Sequence, residues 1–261
     1  MKTPLLSIIT ITHNNCAGLD ETIRSCVPFL DNGAVQLVIV DGASTDATGA
    51  CVARWSLAYP RYIIALSEPD EGIYDAMNKG LDLAQGGYTV FMNAGDRFSK
   101  SFVLNLAALK GGAVYYGDAE FRSDTGRYQR HYAIYGIVSF LNHNPFCHQA
   151  TFYPRALLQQ CGGYDRRYRV SADFDATLKC FLRAPCLPLH QVVCVCELGG
   201  FSHQNGWISY QDRMRSFSAQ CAWHWSLLLV LYAPVFYVKH RVVKALDGTK
   251  LLAWYRSFRY G

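Results

Sequence analysis

The chain has no Cys-x-x-Cys pair, no internal repeat, no low-complexity linker, and no glycine-rich loop bearing Lys or Arg after its first expected strand. It also lacks an uninterrupted apolar run of the ~20 residues that a membrane-spanning helix requires. These absences argue against a zinc ribbon, a repeat array, a phosphate-loop nucleotide binder and a polytopic membrane protein. The ten cysteines are scattered through 261 residues instead of being concentrated in a short chain. The N-terminus reads as a strand where a secretory signal would sit, so a reducing cytosol is expected. Cys194 and Cys196 fall on one face of an expected strand and read as packing rather than as zinc ligands.

Charge is placed unevenly. Residues 1–200 carry 17 Lys or Arg and 18 Asp or Glu, whereas residues 201–261 carry 8 and 2, so the basic excess belongs to the tail. There it alternates with Trp223, Trp225, Tyr232, Phe236, Tyr237, Trp254, Tyr255 and Phe258. Rings at headgroup level with Lys or Arg on phosphates suit an anionic bilayer surface. No nucleic-acid partner is expected, because the rest of the chain offers no basic stripe. Residues 222–238 are mostly apolar, are interrupted by His224 and Pro234, and run into Lys239, His240, Arg241 and Lys244. This reads as an amphipathic attachment lying on the membrane, the alternative being a helix packed on the rest of the chain.

With 51% hydrophobic residues the chain has enough apolar material for a large core. Its pattern predicts strand 5–12, helix 17–29, strand 36–40, helix 47–59, strand 61–66, helix 73–85 and strand 88–92. That alternation is the signature of an α/β fold with a parallel sheet covered by helices. Ile73, Met77, Leu81 and Ala84 repeat at helical spacing and define a buried face. Beyond residue 100 the pattern predicts a helix over 100–109, strands over 113–122 and 127–133, and a helix from Ser171.

Two of the strands end in oxygen-rich turns. Leu37-Val38-Ile39-Val40 runs into Asp41-Gly42-Ala43-Ser44-Thr45-Asp46, where Asp46 can cap the following helix. Tyr88-Thr89-Val90-Phe91-Met92 runs into Asn93-Ala94-Gly95-Asp96. Ligands of open α/β sheets bind beyond the carboxyl ends of the strands, so both turns are candidate binding elements. Together with Ser7-Ile8-Ile9-Thr10-Ile11-Thr12 and the run Glu68 to Gly80, they resemble an inverting family 2 glycosyltransferase of the GT-A fold, closest to bacterial enzymes of the colanic acid type. The resemblance covers roughly residues 5–200 and rests on several motifs in order, each weak alone.

The resemblance implies a GT-A domain over 1–204, with a mostly parallel Rossmann-like sheet, and a helical membrane-surface extension over 205–261. It implies a UDP- or GDP-linked sugar as donor, a polyprenyl-diphosphate-linked acceptor, and a place on the cytoplasmic face of the bacterial inner membrane. It puts Thr10, Thr12, Asp41, Ser44, Lys79 and Asn93 on the nucleotide sugar and Asp96 on Mg²⁺ or Mn²⁺, with His203 in a late loop as a further ligand. His148 and Gln149 fall on the acceptor side. Asp173 is implied as the base, with Asp175 as its rival.

Each of these has a plainer reading beside it. Asp41 closes a turn, Lys79 is a solvated cation favoured by the helix dipole, His148 is a satisfied core residue, and either Asp173 or Asp175 is an N-cap. The family pattern carries two or three acidic residues in the second turn, whereas this chain has only Asp96. A silent nucleotide-sugar binder therefore stays open beside the transferase. A nucleotidyltransferase is disfavoured by the missing phosphate loop, and a processive synthase by the absence of long spans and of Gln-x-x-Arg-Trp.

Overall fold

The computed structural model describes residues 3–30, 33–123, 126–132, 136–140, 144–197 and 205–221, together with residues 234, 238, 241 and 242. Its first half alternates strictly: β1 (Leu6–Thr12), α1 (Cys16–Leu30), β2 (Val35–Asp41), α2 (Thr48–Ala58), β3 (Ile63–Ser67), α3 (Ile73–Leu83) and β4 (Tyr88–Phe91). Every residue of β1 and β2 is buried, as expected of parallel strands covered on both faces. Leu6, Ile8, Leu37 and Ile39 pack under Leu19 and Ile23 of α1. Ile9, Ile11, Val38 and Val40 pack on Tyr74, Met77 and Leu81 of α3. Each such aliphatic side chain contributes roughly 1.5–3 kcal/mol of burial before chain entropy is subtracted.

The strands run parallel in the order β3-β2-β1-β4. Thr12 stands opposite Asp41, and Asp41 opposite Ser67, so three oxygen-bearing side chains form a row at the carboxyl edge. At the opposite edge the Gly86 amide donates to Ser7 Oγ (2.9 Å), whose hydroxyl donates to Gln36 Oε1 (2.7 Å). A Cβ on Gly86 would lie 2.4 Å from Ser7 N and 2.6 Å from Leu6 C, backbone atoms of a central strand that cannot yield. Gly86→Ala is expected to cost about 3 kcal/mol in denaturant unfolding; a loss below about 1 kcal/mol would show that β1 can shift.

The second half makes the sheet mixed. It comprises β5 (Arg97–Phe98), β6 (Val114–Ser123), β7 (Gly126–Arg130), β8 (Thr151–Pro154) and β9 (Cys186–Glu197), with α4 (Arg155–Gln160), α5 (Ala172–Phe181) and α6 (Gly206–Gln220). The sheet continues from β4 as β8-β6-β9-β5, with β7 hung on β6. The helix expected over 100–109 is reduced to one 3-10 turn, Leu106–Ala108. The Ser99 amide donates to Val193 O (2.8 Å) and the Val103 amide to Gln191 Oε1 (3.0 Å). Tertiary partners on β9 thus fix the start of this segment, and its course follows those contacts instead of local propensity.

The C-terminal segment expected from residue 205 begins with α6, which packs on α5. Asp212, 2% exposed, accepts from the Val170 amide (2.8 Å). Ser216 Oγ donates to Asp175 (2.7 Å), and the Ser209 and Ser171 hydroxyls lie 2.8 Å apart. Phe217 joins Phe140, Phe174 and Leu178 in a small apolar cluster. Among the described residues no helix is long and apolar enough to cross a membrane. Most of the basic, aromatic tail lies outside the described residues.

Candidate active site

The site is built where β1, β2 and β4 end. After β1, the His13 ring nitrogen Nδ1 lies 3.0 Å from Gly42 O. Asn14, with φ of 48°, accepts from the Thr45 amide (2.8 Å), and its own amide donates to Ser44 Oγ (2.7 Å). Asp41 is 1% exposed; it accepts from Ser44 Oγ (2.5 Å) and from Ser67 Oγ (2.7 Å). The carboxylate expected on the nucleotide therefore holds the loop that carries Ser44. Asp46 accepts from the Thr48 amide (2.9 Å) at the start of α2, the bond read from the sequence.

Beside this row lies a cleft of about 300 Å³ whose walls include Thr12, His13, Asp70 and Asn93, with Ile73 and Ala76 of α3 as apolar lining. Two residues of the wall, Thr12 and Asn93, each carry a buried side-chain oxygen, Thr12 Oγ1 and Asn93 Oδ1, with no hydrogen-bond partner among the described residues. Such atoms cost free energy unless a ligand or water satisfies them. Thr10 Oγ1 is buried and unpartnered too, but it lies deeper in β1 and outside the cleft wall.

The Asn93–Asp96 turn is held by a residue the sequence reading missed. Thr22, on α1, accepts from the Gly95 amide (3.0 Å) and donates to Asp96 O (2.6 Å). Asn15 Nδ2 donates to Ala94 O (3.1 Å). The available signal was a lone hydroxyl on the buried face of α1 among Leu19, Ile23 and Cys26. Gly95, with φ of 105°, gives the turn a conformation that other side chains rarely adopt. Gln149, expected at an acceptor, donates instead to Asp96 Oδ2 (2.9 Å). Burial pushes the Asp96 carboxyl up to about 7, with Cys147 adding in the same direction and the Gln149 bond opposing.

The turn suits a hard divalent cation. The Asn93 amide oxygen is unsatisfied, and Asp96 supplies a carboxylate that a cation would relieve of its proton. The Lys79 ammonium pairs with Glu68 (2.9 Å) and Asp75 (3.4 Å) and donates to Pro69 O (2.7 Å). It pins the loop that carries Asp70.

The two acidic residues at the start of α5 separate cleanly. Asp175 is fully buried, paired with Lys179 (2.6 Å) and bonded by Ser216. Asp173 is half-buried, and the Tyr74 hydroxyl lies 3.2 Å from its Oδ1 and 2.8 Å from Val170 O. Neither caps the helix, whose N-cap is Ser171 without a side-chain bond. His148 is buried, stacked on Phe91 at 5.1 Å, with Nε2 3.4 Å from the Tyr164 hydroxyl. Desolvation pulls its pKa below the ordinary value, and the charge of Asp173 pulls the other way. His203 lies outside the described residues.

Known proteins share this fold. A solved mannosyltransferase from Pyrobaculum calidifontis, in complex with GDP-Man and Mn²⁺, superimposes with a TM-score of 0.65 at 18% identity, covering 97% of this chain and 78% of that one. S. aureus TarS 1-349 in complex with UDP-GlcNAc gives 0.66 at 16% identity, covering 86% and 70%. At these identities the likeness speaks for the fold, which is GT-A. In sequence, a PGL/p-HBAD biosynthesis glycosyltransferase of Mycobacterium bovis is 34% identical over 211 residues, 78% of this chain and 81% of that protein. The model of the family described as "Glycosyl transferase family 2" matches residues 7–170, the stretch that supplies the row of strand ends, the cleft and the Asn93–Asp96 turn. The chain is thus a glycosyltransferase, and it belongs to glycosyl transferase family 2.

Proposed function

We propose that the protein is an inverting, metal-assisted transferase. It moves one sugar from a UDP- or GDP-linked donor to a hydroxyl of a polyprenyl-diphosphate-linked oligosaccharide, in exopolysaccharide or capsule synthesis of the colanic-acid type. The observation that carries this reading is the pair of orphaned buried oxygens, Thr12 Oγ1 and Asn93 Oδ1, in the wall of a cleft at the carboxyl edge of a parallel sheet.

In this mechanism the loop organised by Asp41 and Ser44 receives the nucleoside, and Asn93 and Asp96 hold Mg²⁺ or Mn²⁺. The cation, when bound, offsets the negative charge that develops on the leaving diphosphate. Thr22 and Gln149 fix the turn and the carboxylate before the donor arrives, so little reorganisation is left for the reaction itself. Asp173 takes the acceptor's hydroxyl proton as that oxygen attacks the anomeric carbon in line. Tyr74 holds the Asp173 carboxylate in place, and His148 packs behind it as a neutral ring. Residues 1–204 carry the chemistry, and the basic, aromatic tail brings the site to the cytoplasmic face of the inner membrane. The similarity to the PGL/p-HBAD biosynthesis protein favours a second reading of the acceptor alone, one of the PGL/p-HBAD type.

Nucleotide release from a panel of UDP- and GDP-sugars, with and without Mn²⁺ and a bacterial lipid extract, tests the proposal. Release from one donor that requires both cation and lipid is the expected result. Measurable nucleotide binding with no release from any donor would favour the silent binder instead.

A further inference from the structure

Behind the Asn93–Asp96 turn, Cys147 meets two cysteines from a distant part of the chain, Cys194 and Cys196, in the interior. Cys147 lies just before the 3-10 turn His148–Ala150, while Cys194 and Cys196 lie on the same face of β9. All three are buried, and their sulfurs are separated by 3.5 Å (Cys194 to Cys196), 3.8 Å (Cys147 to Cys194) and 4.0 Å (Cys147 to Cys196). They are the one group of His, Cys, Asp or Glu side chains among the described residues with converging ligand atoms.

Those spacings match a coordination shell. Zinc holds thiolates at about 2.3 Å in a tetrahedron, which sets neighbouring sulfurs about 3.8 Å apart. A cation placed over the triangle would reach all three sulfurs with shifts of only a few tenths of an ångström. None of the three is drawn into a disulfide. A fourth donor is also at hand: Gln149 Oε1 lies 3.4 Å from Cys147 Sγ, close to the ~3.6 Å that a tetrahedral oxygen at about 2.1 Å from the metal would show. The other end of that amide is the donor to Asp96. A neutral fourth ligand suits the interior, since three thiolates already outweigh the charge of the ion.

We propose that Cys147, Cys194 and Cys196 form a site for a soft divalent cation, zinc in the first instance, with the Gln149 amide oxygen facing its fourth position. Metal binding displaces the thiol protons and fixes the 147–149 segment, so the amide that orients Asp96 is anchored at both ends. The site is distinct in chemistry from the oxygen donors of Asn93 and Asp96, and it stands whether or not the donor chemistry proposed above is right.

The test is made on the full chain purified under a non-thiol reductant. After zinc loading and desalting, elemental analysis is expected to find about one zinc per chain. Cobalt loading is expected to give the intense near-ultraviolet band of a thiolate-bound ion. Both signals should vanish in Cys194→Ser and in Cys147→Ser, and persist in Cys161→Ser and in Asp96→Asn. Thermal unfolding of the zinc-loaded wild type should lie several degrees above that of the chelated protein. No cobalt band and no retained zinc in the wild type would overturn the proposal without reference to any variant. A band that survives both cysteine substitutions would overturn it as well, by placing the metal elsewhere.

Discussion

Replacing Asp173 with Asn should lower sugar transfer by about 10³-fold while leaving nucleotide binding and the unfolding midpoint almost unchanged. The size follows from the loss of a positioned general base, which is worth about 10²–10⁴ in rate, or roughly 3–5 kcal/mol of barrier. The small effect on folding follows from surroundings. Asp173 is half-buried and its polar contact is the Tyr74 hydroxyl, which stays 2.8 Å from Val170 O when the carboxylate becomes an amide. Asp175→Asn should do the reverse. It leaves Lys179, only 14% exposed at its side chain, without a counter-charge, and is expected to cost about 2–4 kcal/mol in denaturant unfolding. Assays of kcat beside urea titrations of the two variants separate the roles. If Asp173→Asn retained transfer within tenfold of wild type, the proton would have to leave by another group.

Asp96→Asn should stabilise the metal-free protein and disable it. In the folded chain the Asp96 carboxyl is raised to about 7 by burial, against about 3.9 in an unfolded chain. Below about pH 4 both states hold the proton and the residue is neutral toward folding. As pH rises toward 7 the unfolded state ionises first, so stability falls, and above about 7 the full penalty applies. Three pKa units correspond to about 4 kcal/mol, reduced to about 2–4 kcal/mol because the side chain is not wholly enclosed. Asparagine carries no such penalty and can still accept from Gln149. In chelator, the variant should therefore gain over wild type at pH 8 and show almost no gain at pH 4. Urea unfolding across that range reads it directly. A gain of the same size at both pH values would mean that the carboxyl is not perturbed. With the same carboxylate lost, cation-dependent donor turnover should disappear.

The half of the fold that was legible in the sequence is the half where local pattern and tertiary environment agree. β1, β2 and β4 read as apolar runs because both their faces are covered, and α1 to α3 show the period of helices lying on a sheet. The strand-end motifs carried the site for the same reason, since a turn after a buried strand can only open at the sheet edge. The helix expected over residues 100–109 gives way to one 3-10 turn because the partners of the Ser99 and Val103 amides sit on β9, about 90 residues further on. The one local signal that separates Asp173 from Asp175 is Lys179, a turn beyond Asp175 on the same helix; Ser216 of α6 and Tyr74 of α3 complete the distinction and cannot be read from the segment itself. The motifs place Lys79 and Gln149 on ligands, but their bonds to the Asp70 loop and to the Asp96 carboxylate are not visible in the sequence. The pairing of Cys194 with Cys196 was visible at their spacing, but Cys147 was not, because its approach depends on β8 crossing between β4 and β6.

The bolts between α5 and α6 bear on how such enzymes can be recombined. The family match ends at residue 170, the residue whose amide is held by Asp212, and Asp173, the proposed base, lies three positions beyond it. A chimera that exchanged the half matched by the family at that boundary would separate Val170 from the loop it came with but keep Asp212 waiting for any amide in the same place. One that stopped at residue 204 would strand the Val170 amide, Ser171 and Asp175 without the partners that α6 supplies. Residues 171–220 are therefore the smallest block that can be traded as a unit, and new acceptor specificities built on this scaffold should be sought by moving that block whole.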